Sequence, residues 1–179
     1  MAHDWSPDGR FIVFASASQD TKFDLWLYSL AEQRTIPYLQ TPFNELQGHV
    51  SPDGRWIAYT SDESGGWEVY IQSFPTPGQR RRISTRGGAQ TRWRKDGKEL
   101  FYLQPDGTLT SAAVDLGTKN GIEVGTPERL FPTQARSAVF PSWSEFAVAS
   151  DGQRFLIVEH EQVDPSITVV LNWTAETRP

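Results

Sequence analysis

The 179-residue chain contains no cysteine, one methionine and three histidines. The first absence removes disulfide scaffolds, thiolate-ligated zinc and thiol catalysis at a stroke. His3, His49 and His160 never fall at the H-E-x-x-H spacing of a helical zinc site, and no metal site is expected. No apolar run approaches the roughly 18 residues that would suggest a membrane helix, and MAHDWSPDGR at the start lacks a signal-peptide core. The net charge of −5 excludes the overall basic field expected of a general nucleic-acid binder. A sustained 3.6-residue apolar period is also missing; LYSLAEQRT (27–35) comes nearest and merely continues a strand-like pattern.

What the chain does have is aromatic residues, turn residues and a repeat. Seven Trp, ten Phe and five Tyr supply core material for a single globular domain. Aligning on Asp-Gly gives Asp8-Gly9, Asp53-Gly54, Asp96-Gly97 and Asp151-Gly152, spaced 45, 43 and 55 residues apart. Each pair precedes a β-prone run: RFIVFAS (10–16), RWIAYTS (55–61), KELFYLQ (98–104) and QRFLIVE (153–159). A second run follows as DLWLYS (24–29), EVYIQS (68–73), TLTSAAV (108–114) and ITVVLNW (167–173), and RTIPYL, RRRIST and ERLFPT close the first three units. With the stretch before Asp-Gly counted as the innermost strand, each unit holds four short antiparallel strands, the pattern of a β-propeller blade. The fold class is therefore all-β, with units at approximately 1–42, 43–86, 87–134 and 135–179. Residues 114–130 read as a Gly-rich loop within the third unit. The Asp-Gly pairs predict type I′ turns, with positive φ at both central residues.

WSPDGRFIVFAS, SPDGRWIAYTSDESGGWEVYIQSF and WRKDGKELFYL resemble the PD40, or TolB-like, family of propeller repeats. The ending DPSITVVLNWTAE (164–176) is similar to the end of propellers fused behind serine/threonine kinase domains in some bacteria. The resemblance implies six or seven blades in a complete propeller and an extracytoplasmic or periplasmic setting. MAHDW leaves about three residues for the first innermost strand, and only TAETRP follows ITVVLNW. These features lead to the expectation of a C-terminal portion of a larger propeller, with self-association through exposed blade faces.

The turn residues Asp8, Gly9, Asp53, Gly54, Asp96, Gly97, Asp151 and Gly152 read as structural, because each turn supplies one carboxylate rather than the several of a calcium loop. G-x-S-x-G, kinase and P-loop signatures are absent from the sequence, so no enzyme activity and no cofactor are expected of this chain. NWT (172–174) matches a glycosylation sequon inside an expected strand and reads as coincidence. QRRRISTRGGAQTRWRK (79–95) carries seven cations and no acid. Its Arg80–Arg82 segment reads as charge protecting an edge strand, against the alternative of a grip on an anionic partner.

Six positions before the repeated Asp stand Gln47, Gln90 and Glu145; four before it stand Asp4, His49, Arg92 and Ala147. Innermost strands lie nearest a propeller axis. Gln47, His49, Gln90, Arg92 and Glu145 are thus the candidate residues for binding a protein or small-molecule ligand at the channel, unless they satisfy neighbouring blades instead. The expected role is a noncatalytic binding, sensor or scaffold module, with a receptor-like kinase as parent. The alternatives are a gating propeller of a prolyl-oligopeptidase-like peptidase and a TolB-like periplasmic interaction protein.

Overall fold

A computed structural model describes residues 1–18, 22–118, 121–135, 144–160 and 165–171. The NWT sequon and the final TAETRP lie outside these residues. All regular structure among them is β. The first antiparallel sheet comprises β1 (Ala2–Trp5), β2 (Phe11–Ser18), β3 (Lys22–Ser29) and β4 (Arg34–Leu39), in that spatial order. The second repeats it with β5 (Glu45–Val50), β6 (Trp56–Ser61), β7 (Glu68–Ser73) and β8 (Arg80–Arg82). The short β8 replaces the longer run expected from RRRIST, because Ile83 and Ser84 turn inward and are buried.

The third sheet contains β9 (Ala89–Trp93), β10 (Glu99–Leu103), β11 (Thr108–Thr118), β12 (Gly121–Val124) and β13 (Glu128–Pro132). Here the expected loop at 114–130 is corrected. β11 runs on past its partner β10, and its far end pairs with β12, with Val114 opposite Val124, before β13 returns alongside its near end. Alternating Val114, Leu116, Ile122 and Val124 give this ribbon an apolar face that packs on the core despite its glycines. Three strands of a fourth sheet are described: β14 (Phe146–Val148), β15 (Arg154–His160) and β16 (Pro165–Leu171).

Three apolar cores lie between successive sheets. Val13, Leu25 and Leu27 meet Leu46, Ile57, Tyr59 and Tyr70; Trp56, Val69 and Ile71 meet Leu100, Tyr102 and Val114; Phe101, Leu103 and Leu109 meet Phe146, Phe155 and Ile157. Period-two alternation sends adjacent residues of one strand to opposite faces, so Ile57 and Ala58 serve different cores. Stacking of this kind makes each inner sheet a shared wall.

The four Asp-Gly turns depart from type I′. Positive φ falls on the glycine alone, at 74°, 71°, 73° and 72° for Gly9, Gly54, Gly97 and Gly152. Gly9 N donates to Ser6 O at 2.8 Å and Ser6 N to Phe11 O at 2.8 Å, which is a type I turn followed by a left-handed glycine. Pro7 and Pro52 suit the first central position of such a turn, where a φ near −65° is required. Each Asp then stabilises its own turn. Asp8 accepts from the Ser6 hydroxyl at 2.7 Å and the Arg10 amide at 3.0 Å, and Asp53 repeats this with Ser51 at 2.5 Å and Arg55 at 3.1 Å. In the third turn Arg94 replaces the serine and reaches both Asp96 oxygens at 2.8 and 2.9 Å. In the fourth, Asp151 accepts the Gln153 amide at 2.9 Å.

Candidate functional site

The inner strands carry Gln47, His49, Gln90 and Arg92, with Glu145 just before β14, and an irregularity shared by β5 and β9 decides where their side chains go. Pairing of β5 with β6 shifts register between Leu46 and His49, and pairing of β9 with β10 shifts between Ala89 and Arg92. Gln47 and Gln90 sit in these bulges with φ of 56° and 58°, a conformation rare for a residue with a Cβ. The bulge swings the side chain sideways, toward the next sheet. Gln47 Oε1 accepts the Gln90 amide at 2.8 Å and the Thr60 hydroxyl at 3.2 Å. One sheet further on, Gln90 Oε1 accepts the Glu145 amide at 2.7 Å. Gln47, Gln90 and Glu145 are 6%, 1% and 3% exposed, so the relay is an internal one linking neighbouring strands.

The first junction uses His3 and Asp4; Asp4 shares the alignment column of His49 and Arg92, whereas His3 falls between the aligned columns. Ala2 occupies the position equivalent to Gln47 and cannot accept a hydrogen bond. Instead His3 Nδ1 accepts the Gly48 amide at 3.1 Å, and Asp4 Oδ2 accepts the Val50 amide at 2.7 Å. The signal available in the sequence was the gap itself: an alanine in the glutamine column, followed at once by two polar residues.

His49 and Arg92 do come together, and Asp4 joins them. An Arg92 Nη1 hydrogen donates to His49 Nε2 at 2.5 Å, while His49 Nδ1 lies 3.8 Å from Asp4 Oδ2. Burial, reinforced by the Arg92 charge and by His3, holds the His49 imidazole well below its ordinary pKa, so the ring is neutral. Its Nε2 accepts from Arg92, which puts the ring proton on Nδ1, facing Asp4. Burial raises the Asp4 carboxyl, opposed by the Val50 and Trp5 amides and by Arg92. Burial also lowers the Arg92 guanidinium, opposed by Asp4. Arg92 further donates to Thr91 O at 2.7 Å and lies 6.0 Å from the centre of the Phe146 ring. Trp93 Nε1 donates to His49 O at 2.9 Å and fixes the strand that carries the histidine.

The Asp4 and His49 side chains are 30% and 16% exposed, so this row reaches solvent where the glutamine relay does not. Chemically the row combines one guanidinium, oriented by a neutral imidazole, with a partly desolvated carboxylate on the far side of the ring. The imidazole nitrogen that would act as a base is occupied by Arg92. Among the described residues, no group of three or more His, Asp or Glu side chains is placed to hold a metal ion. A separate groove of about 400 Å³ lies between the second and third Asp-Gly turns and the ribbon, lined by Asp53, Arg55, Asp96, Lys98 and Leu116.

No family model matches the chain. The Tol-Pal system protein TolB of Anaeromyxobacter dehalogenans is 32% identical over 84 residues, covering 47% of this chain and 19% of that protein. Dipeptidyl-peptidase 5 of Porphyromonas gingivalis is 28% identical over 115 residues, covering 55% of this chain and 17% of that protein. The matched region thus spans less than a fifth of the length of these curated relatives. TolB from Acinetobacter baumannii superposes with a TM-score of 0.72 at 19% identity, covering 94% of this chain and 39% of that one. The fold is that of the TolB-like β-propellers. In TolB-like terms, the four sheets are blades, the first strands β1, β5, β9 and β14 are the axial ones, with register shifts in β1, β5 and β9, and Asp4, His49 and Arg92 form a row across three successive blades.

Proposed function

We propose that the chain is a noncatalytic binding or sensor module of a larger TolB-like propeller, recognising an anionic group of a protein or small ligand at the Asp4–His49–Arg92 row. The observation that carries this reading is the Arg92 guanidinium, held at the axial end of its blade by a neutral histidine rather than consumed by a carboxylate. Arginine so oriented suits planar, bidentate recognition of a carboxylate or phosphate. The chain's coverage of 39% of a TolB structure supports a longer parent. The ending at 164–176, similar to that of propellers fused behind kinase domains, supports an extracytoplasmic sensor propeller behind a serine/threonine kinase domain. The TolB similarity equally supports a periplasmic interaction protein as the parent. A gating propeller of a peptidase is the second reading, favoured by the similarity to dipeptidyl-peptidase 5.

Amide-resolved NMR titration with an acetylated tripeptide bearing a free C-terminal carboxylate tests the row directly. Shifts concentrated at Asp4, His49, Arg92 and Trp93, lost in Arg92→Gln, are expected. Shifts that avoid the axial strands, or that survive Arg92→Gln, overturn it. Reading the parental coding sequence separates kinase, periplasmic and peptidase contexts.

A further inference from the structure

We propose that the outer edge of the second blade, β8, is a docking edge for an acidic, extended segment of a partner protein, a second surface independent of the axial row. β8 consists of Arg80, Arg81 and Arg82, all exposed, and pairs with β7 alone among the described strands. The ladder has a fixed phase. Ile83 N donates to Val69 O at 2.8 Å and Ser73 N to Gln79 O at 3.0 Å, so the odd-numbered residues of this edge turn their backbone groups toward β7. Alternate residues of an antiparallel strand direct their N–H and C=O groups to opposite sides, which leaves those of Arg80 and Arg82 pointing outward. An added strand finds its hydrogen-bonding groups there.

The side chains choose which strand is acceptable. Arg80 is committed, with Glu63 at 2.7 Å and the Tyr70 ring 5.2 Å away. Arg81, Arg82 and the nearby exposed Arg86 have no ion-pair partner among the described residues. The other outer edges differ. On β4, Arg34 pairs with Glu32 at 2.5 Å and Pro37 interrupts the row of amide donors; on β13, Arg129 bonds Gln104, Asp106 and Thr108, and Pro132 ends the strand. Uncompensated cation therefore gathers on one sheet edge of a chain whose net charge is −5. Charge on an edge repels basic strands, a second copy of β8 included, and by the same token attracts an acidic one. Arg81 and Arg82 are successive residues facing opposite sides of the sheet, so the complementary strand carries two adjacent acids.

The test uses the peptide acetyl-TVEDVT-amide, its counterpart N-methylated at alternate residues, and a single-stranded oligonucleotide as a polyanion without strand-forming amides. Binding of the unmodified peptide with a Kd below about 1 mM, weakened about tenfold or more in Arg81→Glu/Arg82→Glu, is expected. An unchanged melting temperature in the double variant shows that the blade is intact. Arg92→Gln leaves this binding unaltered. The proposal is overturned by absence of peptide binding, by equal binding of the N-methylated peptide or the oligonucleotide, or by indifference to the double substitution.

Discussion

At the junction of the second and third blades, Gln47 holds the Gln90 amide and Trp93 holds the His49 carbonyl, and at the next junction Gln90 holds the Glu145 amide. At the rim of the same second blade, Arg81 and Arg82 stand exposed, with no carboxylate within ion-pair distance among the described residues. The second sheet thus commits its polar groups to its neighbour at the axis and leaves them available at its outer edge. Burial explains the contrast: an unpaired donor near the axis would lose water without replacement, whereas a guanidinium at the rim keeps its hydration. Substitutions should follow this gradient.

The largest effect is expected at the axis. Gln47→Ala strips the buried Gln90 amide and Thr60 hydroxyl of their acceptor at once and should cost about 2–4 kcal/mol in urea unfolding. A loss below about 1 kcal/mol would break the contrast between axis and rim. Next comes the turn. A Cβ at Gly54 would meet nothing within 4 Å, so Gly54→Val isolates the cost of a φ of 71° and should destabilise by about 1–2 kcal/mol. Asp53→Asn retains an acceptor for Ser51 and Arg55 and should cost less than Gly54→Val, about 1 kcal/mol at most.

Glu45 sharpens the comparison from the opposite side, as a buried group whose commitment is incomplete. It is 2% exposed; Oε1 accepts the Thr41 hydroxyl at 2.5 Å, while buried Oε2 has no hydrogen-bond partner among the described residues. Burial, with Asp24, Glu63 and Asp62 adding to it and Thr41 opposing it, pushes its carboxyl from 4.5 up to about 7. A raised carboxyl favours the protonated form in the fold. Its contribution is complete below pH 4.5 and lost as pH rises through 7. Glu45→Gln should therefore stabilise the protein by about 1–2 kcal/mol at pH 8 and flatten the slope between pH 5 and 7. Asp8 has the reverse sign: the Ser6 hydroxyl and then the Arg10 amide hold it down to about 2, so its contribution fades only as pH falls toward that value. The smallest effect belongs to the rim, where Arg81→Ala should change stability by less than about 0.5 kcal/mol.

Repeating units and strand cores were legible because alternation and turn residues act locally. The runs at 24–29, 34–39 and 68–73 end where β3, β4 and β7 end. The ribbon was hidden because its glycines suggested a loop, whereas the apolar alternation of Val114, Leu116, Ile122 and Val124 matters only once there is a core to meet it. The turn type differs from the expected type I′ because Pro7-Asp8 and Pro52-Asp53, not Asp-Gly, occupy the two central places, and glycine follows them. At the candidate site, alignment placed His49 and Arg92 in one column but did not reveal their contact. Gln47 and Gln90 stand in a column of their own, yet the same channel role was expected of both columns, because a bulge redirects a side chain without altering composition.

The glutamine relay bears on how such a chain can grow. Gln47 reaches a residue 43 positions ahead and Gln90 one 55 positions ahead, yet the two bonds are 2.8 and 2.7 Å long. The extra length of the longer interval contains the β11–β12 ribbon at the periphery, where it does not alter axial spacing. The axis acts as a gauge that fixes the angular step from blade to blade, and the periphery absorbs variation. An epitope tag placed between β11 and β12 should leave the axial amides of Gln90 and Glu145 protected from hydrogen exchange, whereas a single residue inserted after Leu46 should expose the Gln90 amide.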